Sequence, residues 1–80
     1  MLEKGSVVRS IAGRDKDRLL AVMDCAPDAV FVCDGKERPL ERPKRKNPRH
    51  LMDTGLRLPG NAAESNRALR KALAGFAERV

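Results

Sequence analysis

Apolar residues fall in short runs separated by turn residues. SVVRSI at 6–11, RLLAVMDC at 18–25 and VFVCD at 30–34 concentrate β-branched side chains between turn signals, a pattern that predicts three antiparallel strands. The last two form a hairpin over 18–33 whose turn is APDA at 26–29. Pro27 presets the negative φ of a type I corner, and Asp28 can bond its own backbone. A further apolar touch, LMD at 51–53, precedes TGLRLPG at 54–60, which reads as a connector marked by glycine and proline. Beyond it Leu69, Leu73, Phe76 and Val80 recur at spacings of four, three and four, placing one apolar stripe on a helix, with Arg67, Arg70, Lys71 and Arg79 off it. Two starts are open for that helix. Asn61 can cap it with Glu64 completing a capping box, or it can begin at Asn66 and leave 61–65 irregular. The stripe can cover an open side of the sheet or dock on a partner.

Polar residues are patterned as well. Residues 11–18, IAGRDKDR, place five charges in a row where the chain must reverse. Residues 35–50, GKERPLERPKRKNPRH, hold three prolines and seven basic residues against two acidic ones, a net +5. Proline donates nothing to a sheet ladder, so any strand here is an edge strand or only an extended segment. One reading is a solvated loop. The other takes the segment as extended with a period of two, which sends Lys36, Arg38, Arg42, Lys44 and Lys46 one way and Glu37 and Glu41 the other, unless the prolines impose a three-residue period.

Composition narrows the classes. Eighty residues allow one domain, which buries roughly 60% of the surface its unfolded chain exposes. With two Phe and no Trp or Tyr, the core must be aliphatic. Seventeen Lys and Arg against eleven Asp and Glu give +6, a balance that speaks for polyanionic partners. The segment MLEKGSVVRS lacks the apolar run of a secretory signal, and LLAVM at 19–23 is far too short to cross a bilayer, so a soluble cytoplasmic protein with no membrane partner is expected. Cys25 and Cys33 sit in apolar segments and are expected in the core as free thiols. His50, the single histidine, has no Cys or His at a zinc spacing, and the Asp15 to Ala26 window lacks the Gly and Glu of a calcium loop. Neither metal nor cofactor is expected. No sequence-local nucleophile, base and carboxylate stand together, which argues against an enzyme.

Gly5, the pair Val7 and Val8, and AGRDK at 12–16 followed by an apolar strand resemble a KOW motif. Over VVRSIAGRDK, LLAVMD, VFVCDG and LERPKRKNPRHL, most of residues 5–51, the chain is similar to small bacterial KOW-domain RNA-binding proteins. Those are themselves similar to a KOW-containing large-subunit ribosomal protein family of archaea and eukaryotes. RALRKAL also looks like the helical tail of the bacterial group. The resemblance implies a mainly β fold, a small SH3-like barrel of about five antiparallel strands over 1–54 with its basic loop at 36–50, then a connector and C-terminal α-helix over 55–80. It implies RNA bound through the turn and the basic loop, no catalysis, and work on or near the ribosome, with ribosomal proteins as further neighbours of a monomer. The broader KOW pattern has glycines where this chain has Asp17 and Leu20, and positive φ suits Asp moderately and Leu poorly.

A turn at a hairpin end projects Arg14, Lys16 and Arg18 from the core, while Gly13 supplies backbone freedom. Asp15 and Asp17 can bond turn amides or orient neighbouring arginines. The expected RNA-binding residues are Arg9, Gly13, Arg14, Lys16 and Arg18 in and before the turn, with Arg38, Arg42, Lys44, Arg45, Lys46, Arg49 and His50 in the loop. About five to seven phosphate contacts predict a log-log salt slope of roughly −4 to −6. Most basic positions are Arg, which favours bidentate phosphate contacts. Scarce aromatics remove base stacking, so shape-read structured RNA is the expected target rather than a single-strand sequence. A protein-interaction adaptor using the barrel edge or the helix is the alternative, and the same charges permit duplex DNA.

Overall fold

The apolar runs become strands. In the computed structural model, which describes residues 2–78, β1 is Ser6–Ser10, β2 Leu19–Ala26, β3 Ala29–Cys33, β4 Lys44–Lys46 and β5 Leu51–Arg57. One helix, α1, spans Asn66–Ala77. The strands form one antiparallel sheet in the order β4-β3-β2-β1-β5. Four strands meander; a 3₁₀ turn at Pro48–His50 then carries the chain across to pair β5 with β1. The fold is therefore mainly β with a C-terminal helix, an arrangement consistent with a small SH3-like barrel.

Both faces of the sheet are covered, which is why its strands read as runs rather than as strict alternation. Val8, Leu20, Val22, Val30, Val32 and Leu51 fill the inner face, with Leu2 packed against them. Val7, Ala21 and Cys33 on the outer face meet Leu69 and Leu73 of α1, with Phe76 packed alongside. The helical stripe thus covers the sheet. Each fully buried Val or Leu among them contributes about 2 kcal/mol. Arg79 and Val80 lie outside the described residues.

The helix starts at the later of the two candidate positions. Ser65, not Asn61, is its cap, and the Ser65 Oγ accepts from the Ala68 N–H at 3.0 Å. Residues 59–64 instead turn so that Ala62 is buried. Asn66 fixes the start through the neighbouring loop: its Oδ1 accepts from the Leu40 N–H at 2.7 Å and its Nδ2 donates to Glu41. Gly35 belongs to the same seam. It has φ +81°, and a Cβ there would collide with the Asn66 carbonyl oxygen.

TGLR is strand rather than connector, so the barrel runs past residue 54. Its glycine marks a bulge: pairing with β1 shifts between Ser6 and Val8, Gly55 takes φ +79°, and the Thr54 hydroxyl donates to the Val7 carbonyl at 2.6 Å. Cys33 is buried as expected, and burial beside Asp34 and Glu41 pushes its thiol up to about 11. Cys25 is not in the core. It sits exposed one pair from the turn of the β2–β3 hairpin, with its thiol 3.7 Å from the Leu2 carbonyl. No helix among the described residues is long and apolar enough to cross a membrane.

Candidate nucleic-acid interface

The turn between β1 and β2 closes on its own backbone before any side chain acts. The Ser10 N–H donates to the Arg18 carbonyl at 3.0 Å and the Asp17 N–H to the Ser10 carbonyl at 2.7 Å. Inside this clasp, Lys16 N–H reaches the Gly13 carbonyl and Arg18 N–H the Asp15 carbonyl. Gly13 has φ +79° and Asp17 φ +72°. Asp17 thus supplies the left-handed corner that a glycine would otherwise serve, as Asp can. Leu20 needs no such conformation, because it lies within β2 and is fully buried.

The side chains of the turn do not all project outward. Arg14, Lys16 and Asp17 are exposed, but Asp15 is only 3% exposed and faces inward. Its carboxylate takes the Arg38 guanidinium at 3.3 Å and the Lys46 ammonium at 3.4 Å. Lys46 also donates to the Ser10 Oγ at 3.4 Å, and its side chain is itself 10% exposed. Burial pushes the Asp15 carboxyl up, but the two cations and their hydrogen bonds outweigh it and hold the pKa below the ordinary value of 3.8. Of the two roles open to a turn carboxylate, Asp15 takes the second: it orients basic side chains, and those chains come from the other charged segment.

That segment is not uniformly extended. The Asp34 carboxylate accepts the Lys36 and Arg38 N–H groups at 2.8 and 2.9 Å, and Arg42 N–H bonds the Pro39 carbonyl, so residues 34–42 run through turns. The five cations of the period-two reading therefore do not form one row. Only Lys44–Lys46 is strand, and it is an edge strand as the prolines require. Lys44 and Lys46 pair with Val32 and Val30, whose side chains enter the inner core, whereas Arg45 pairs with Phe31 on the opposite face. Asn47 then caps the 3₁₀ turn through the Arg49 N–H, and the His50 carbonyl accepts the Ile11 N–H at 2.9 Å.

The turn and the basic segment are thus adjacent. They meet at Asp15 with Arg38 and Lys46, at Gly13 beside the Lys46 ammonium, and at Ile11 with His50. The twelve expected site residues divide by what they touch. Arg38 and Lys46 are held by Asp15. Arg18 is gripped by Glu37 at 3.0 Å and reaches Asp34 at 3.5 Å, and the Glu37 hydrogen bond and charge hold it protonated beyond its ordinary value. Arg45 pairs with Asp28 across an exposed gap of 3.4 Å. Arg9 donates to the Asp17 carbonyl at 3.0 Å. Arg14, Lys16, Arg42, Lys44 and Arg49 are exposed and make no side-chain hydrogen bond or ion pair with another described residue. The same holds for the exposed side chain of Lys36, which the expected set omits.

No protein-family model and no curated protein matches the chain. Its chemistry rests on its own residues. A cleft of about 400 Å³ lies between the turn and α1, but it mixes Arg9, Arg18 and Lys36 with Asp17 and Asp34 and offers no surplus of one sign comparable to the bare cations of the loops. Sequence reasoning left the role of Asp15 open between turn amides and neighbouring arginines, and missed that its partners are Arg38 and Lys46 of the second segment. The available signal was a pair of carboxylates, Asp15 and Asp17, set among Arg14, Lys16 and Arg18, in a chain whose second basic block lacks enough acid to balance it.

Proposed function

We propose that this protein is an RNA-binding module that holds the phosphate backbone of structured RNA between its β1–β2 turn and its basic segment. The observation that carries this reading is the division of labour among the cations. Asp15 ties Arg38 and Lys46 down and so fixes one charged loop against the other. Arg14, Lys16, Arg42, Lys44 and Arg49 remain bare on those same two segments. Fixing the backbone lowers the entropy lost when flexible cations settle on phosphates. The KOW resemblance over residues 5–51 supports RNA over DNA and makes ribosomal RNA the first target to test.

The features that motivated an adaptor role are otherwise engaged. Leu69 and Leu73 are buried against the sheet, and the edge strand β4 is three basic residues long, short and charged in the way that discourages strand addition. The test is filter binding to a folded RNA across a salt series. About five phosphate contacts give a log-log slope near −4, and the combined Arg14→Ala, Lys16→Ala, Lys44→Ala, Arg49→Ala variant brings it to about −1. An unchanged slope in that variant, or no binding by the unsubstituted protein, contradicts the proposal.

A further inference from the structure

We propose that the face formed by Arg9, Ile11, His50 and Met52 receives one unpaired nucleotide of the bound RNA, its base lying on the two aliphatic side chains. This deepens the RNA-binding reading above and rests on it. Ile11 and Met52 are the exposed large hydrophobic residues among those described, 48% and 46% accessible. Their placement is joint. Arg9 pairs with Met52 and Ser10 with Leu51, and the ladder continues one step to the Ile11 N–H on the His50 carbonyl. Ser10 and Leu51 are buried, so alternation sends Arg9 and Met52 to the outer face, with Ile11 one diagonal step away.

The size and charge of this face decide what fits it. Two half-exposed aliphatic side chains fall far below the roughly 800 Å² per partner of a stable protein interface, but they match the face of one base. Arg9 supplies the positive charge here. The Arg9 guanidinium is fixed by the Asp17 carbonyl at 3.0 Å, which presents a positioned plane of the kind on which bases stack. His50, opposite Ile11, is exposed on the same face. Asp53, the next residue of β5, pairs with Val8 of the inner core, and its carboxylate is engaged by the Gly55 N–H at 2.9 Å. Aliphatic side chains are known to wedge against unstacked bases, so the lack of an exposed aromatic does not close this route.

The test uses three probes at one salt concentration: a fully paired RNA hairpin, the same hairpin with one bulged purine, and that hairpin with the bulged residue abasic. The unsubstituted protein binds the bulged purine about fivefold to tenfold more tightly than either control. The Ile11→Ser, Met52→Ser variant loses that advantage while keeping its affinity for the paired hairpin and its salt slope. Equal loss on all three probes, or no loss on the bulged purine, overturns the inference while the salt slope still supports phosphate binding. Absence of any salt-dependent binding by the unsubstituted protein overturns the RNA reading and this inference together.

Discussion

Two turns of one sheet reverse the chain by different means. Between β2 and β3, Ala26 pairs with Ala29 and only Pro27 and Asp28 lie between them, both exposed and neither with positive φ. The nearby ion pair, Asp28 with Arg45, leaves both side chains mostly in water and contributes little. Between β1 and β2 the chain uses residues 11–18, two of them at positive φ, and wraps them over a carboxylate that is 3% exposed. Two residues suffice to reverse a strand. The longer turn adds a long-range tie, since Asp15 bonds Arg38 across 23 positions of sequence. The short turn closes a hairpin; the long one fixes where a second charged segment lies.

The largest separation between the turns is expected from removing each carboxylate. Asp15→Asn lowers stability by about 2–3 kcal/mol, because Arg38 and Lys46 are left partly buried without a counter-charge; the partial exposure of Arg38 keeps the loss below that of a fully buried pair. Asp28→Asn leaves the urea midpoint unchanged. Equal shifts in the two variants would erase the distinction between a tie and a surface pair.

Acid sharpens the same contrast. The folded pKa of Asp15 is depressed, so its contribution is complete above the unfolded value near 3.8 and is lost as pH falls through the lower folded value. The stability gap between the unsubstituted protein and Asp15→Asn is therefore constant above about pH 5 and closes below pH 4. A gap that widens with acid would reverse the sign. A smaller effect follows from backbone conformation: Asp17→Val, a β-branched residue forced to φ +72°, costs about 1–2 kcal/mol, whereas Asp17→Gly stays within about 0.5 kcal/mol of the starting protein. Least disruptive is a labelling experiment. Cys25, exposed beside the short turn, reacts with a thiol reagent in the native protein, while Cys33 reacts only after unfolding.

Sequence pattern carried the strands and failed at the places governed by contacts between distant residues. β1, β2 and β3 were legible because β-branched runs between turn signals are a local property, and the prolines correctly limited β4 to an edge. Gly55 looked like punctuation because a bulge and a connector share the same residue; only the pairing with β1 separates them. Asn61 lost the helix cap to Ser65 because Asn66 is required by Leu40 and Glu41, partners far away in sequence. The candidate site divides in the same way. That two basic segments matter was visible in the charge pattern, but which cations are tied and which are bare depends on one inward-facing carboxylate.

The central claim is that the turn and the basic segment act on one polyanion as a single unit. Its most direct test is to measure salt-dependent binding of one folded RNA to two paired variants, Arg14→Ala with Lys16→Ala and Lys44→Ala with Arg49→Ala. Each pair should lower the log-log slope by between one and two, and their combination by the sum. A slope that responds to one pair and ignores the other would mean that the two segments, although neighbours in the fold, do not share a ligand.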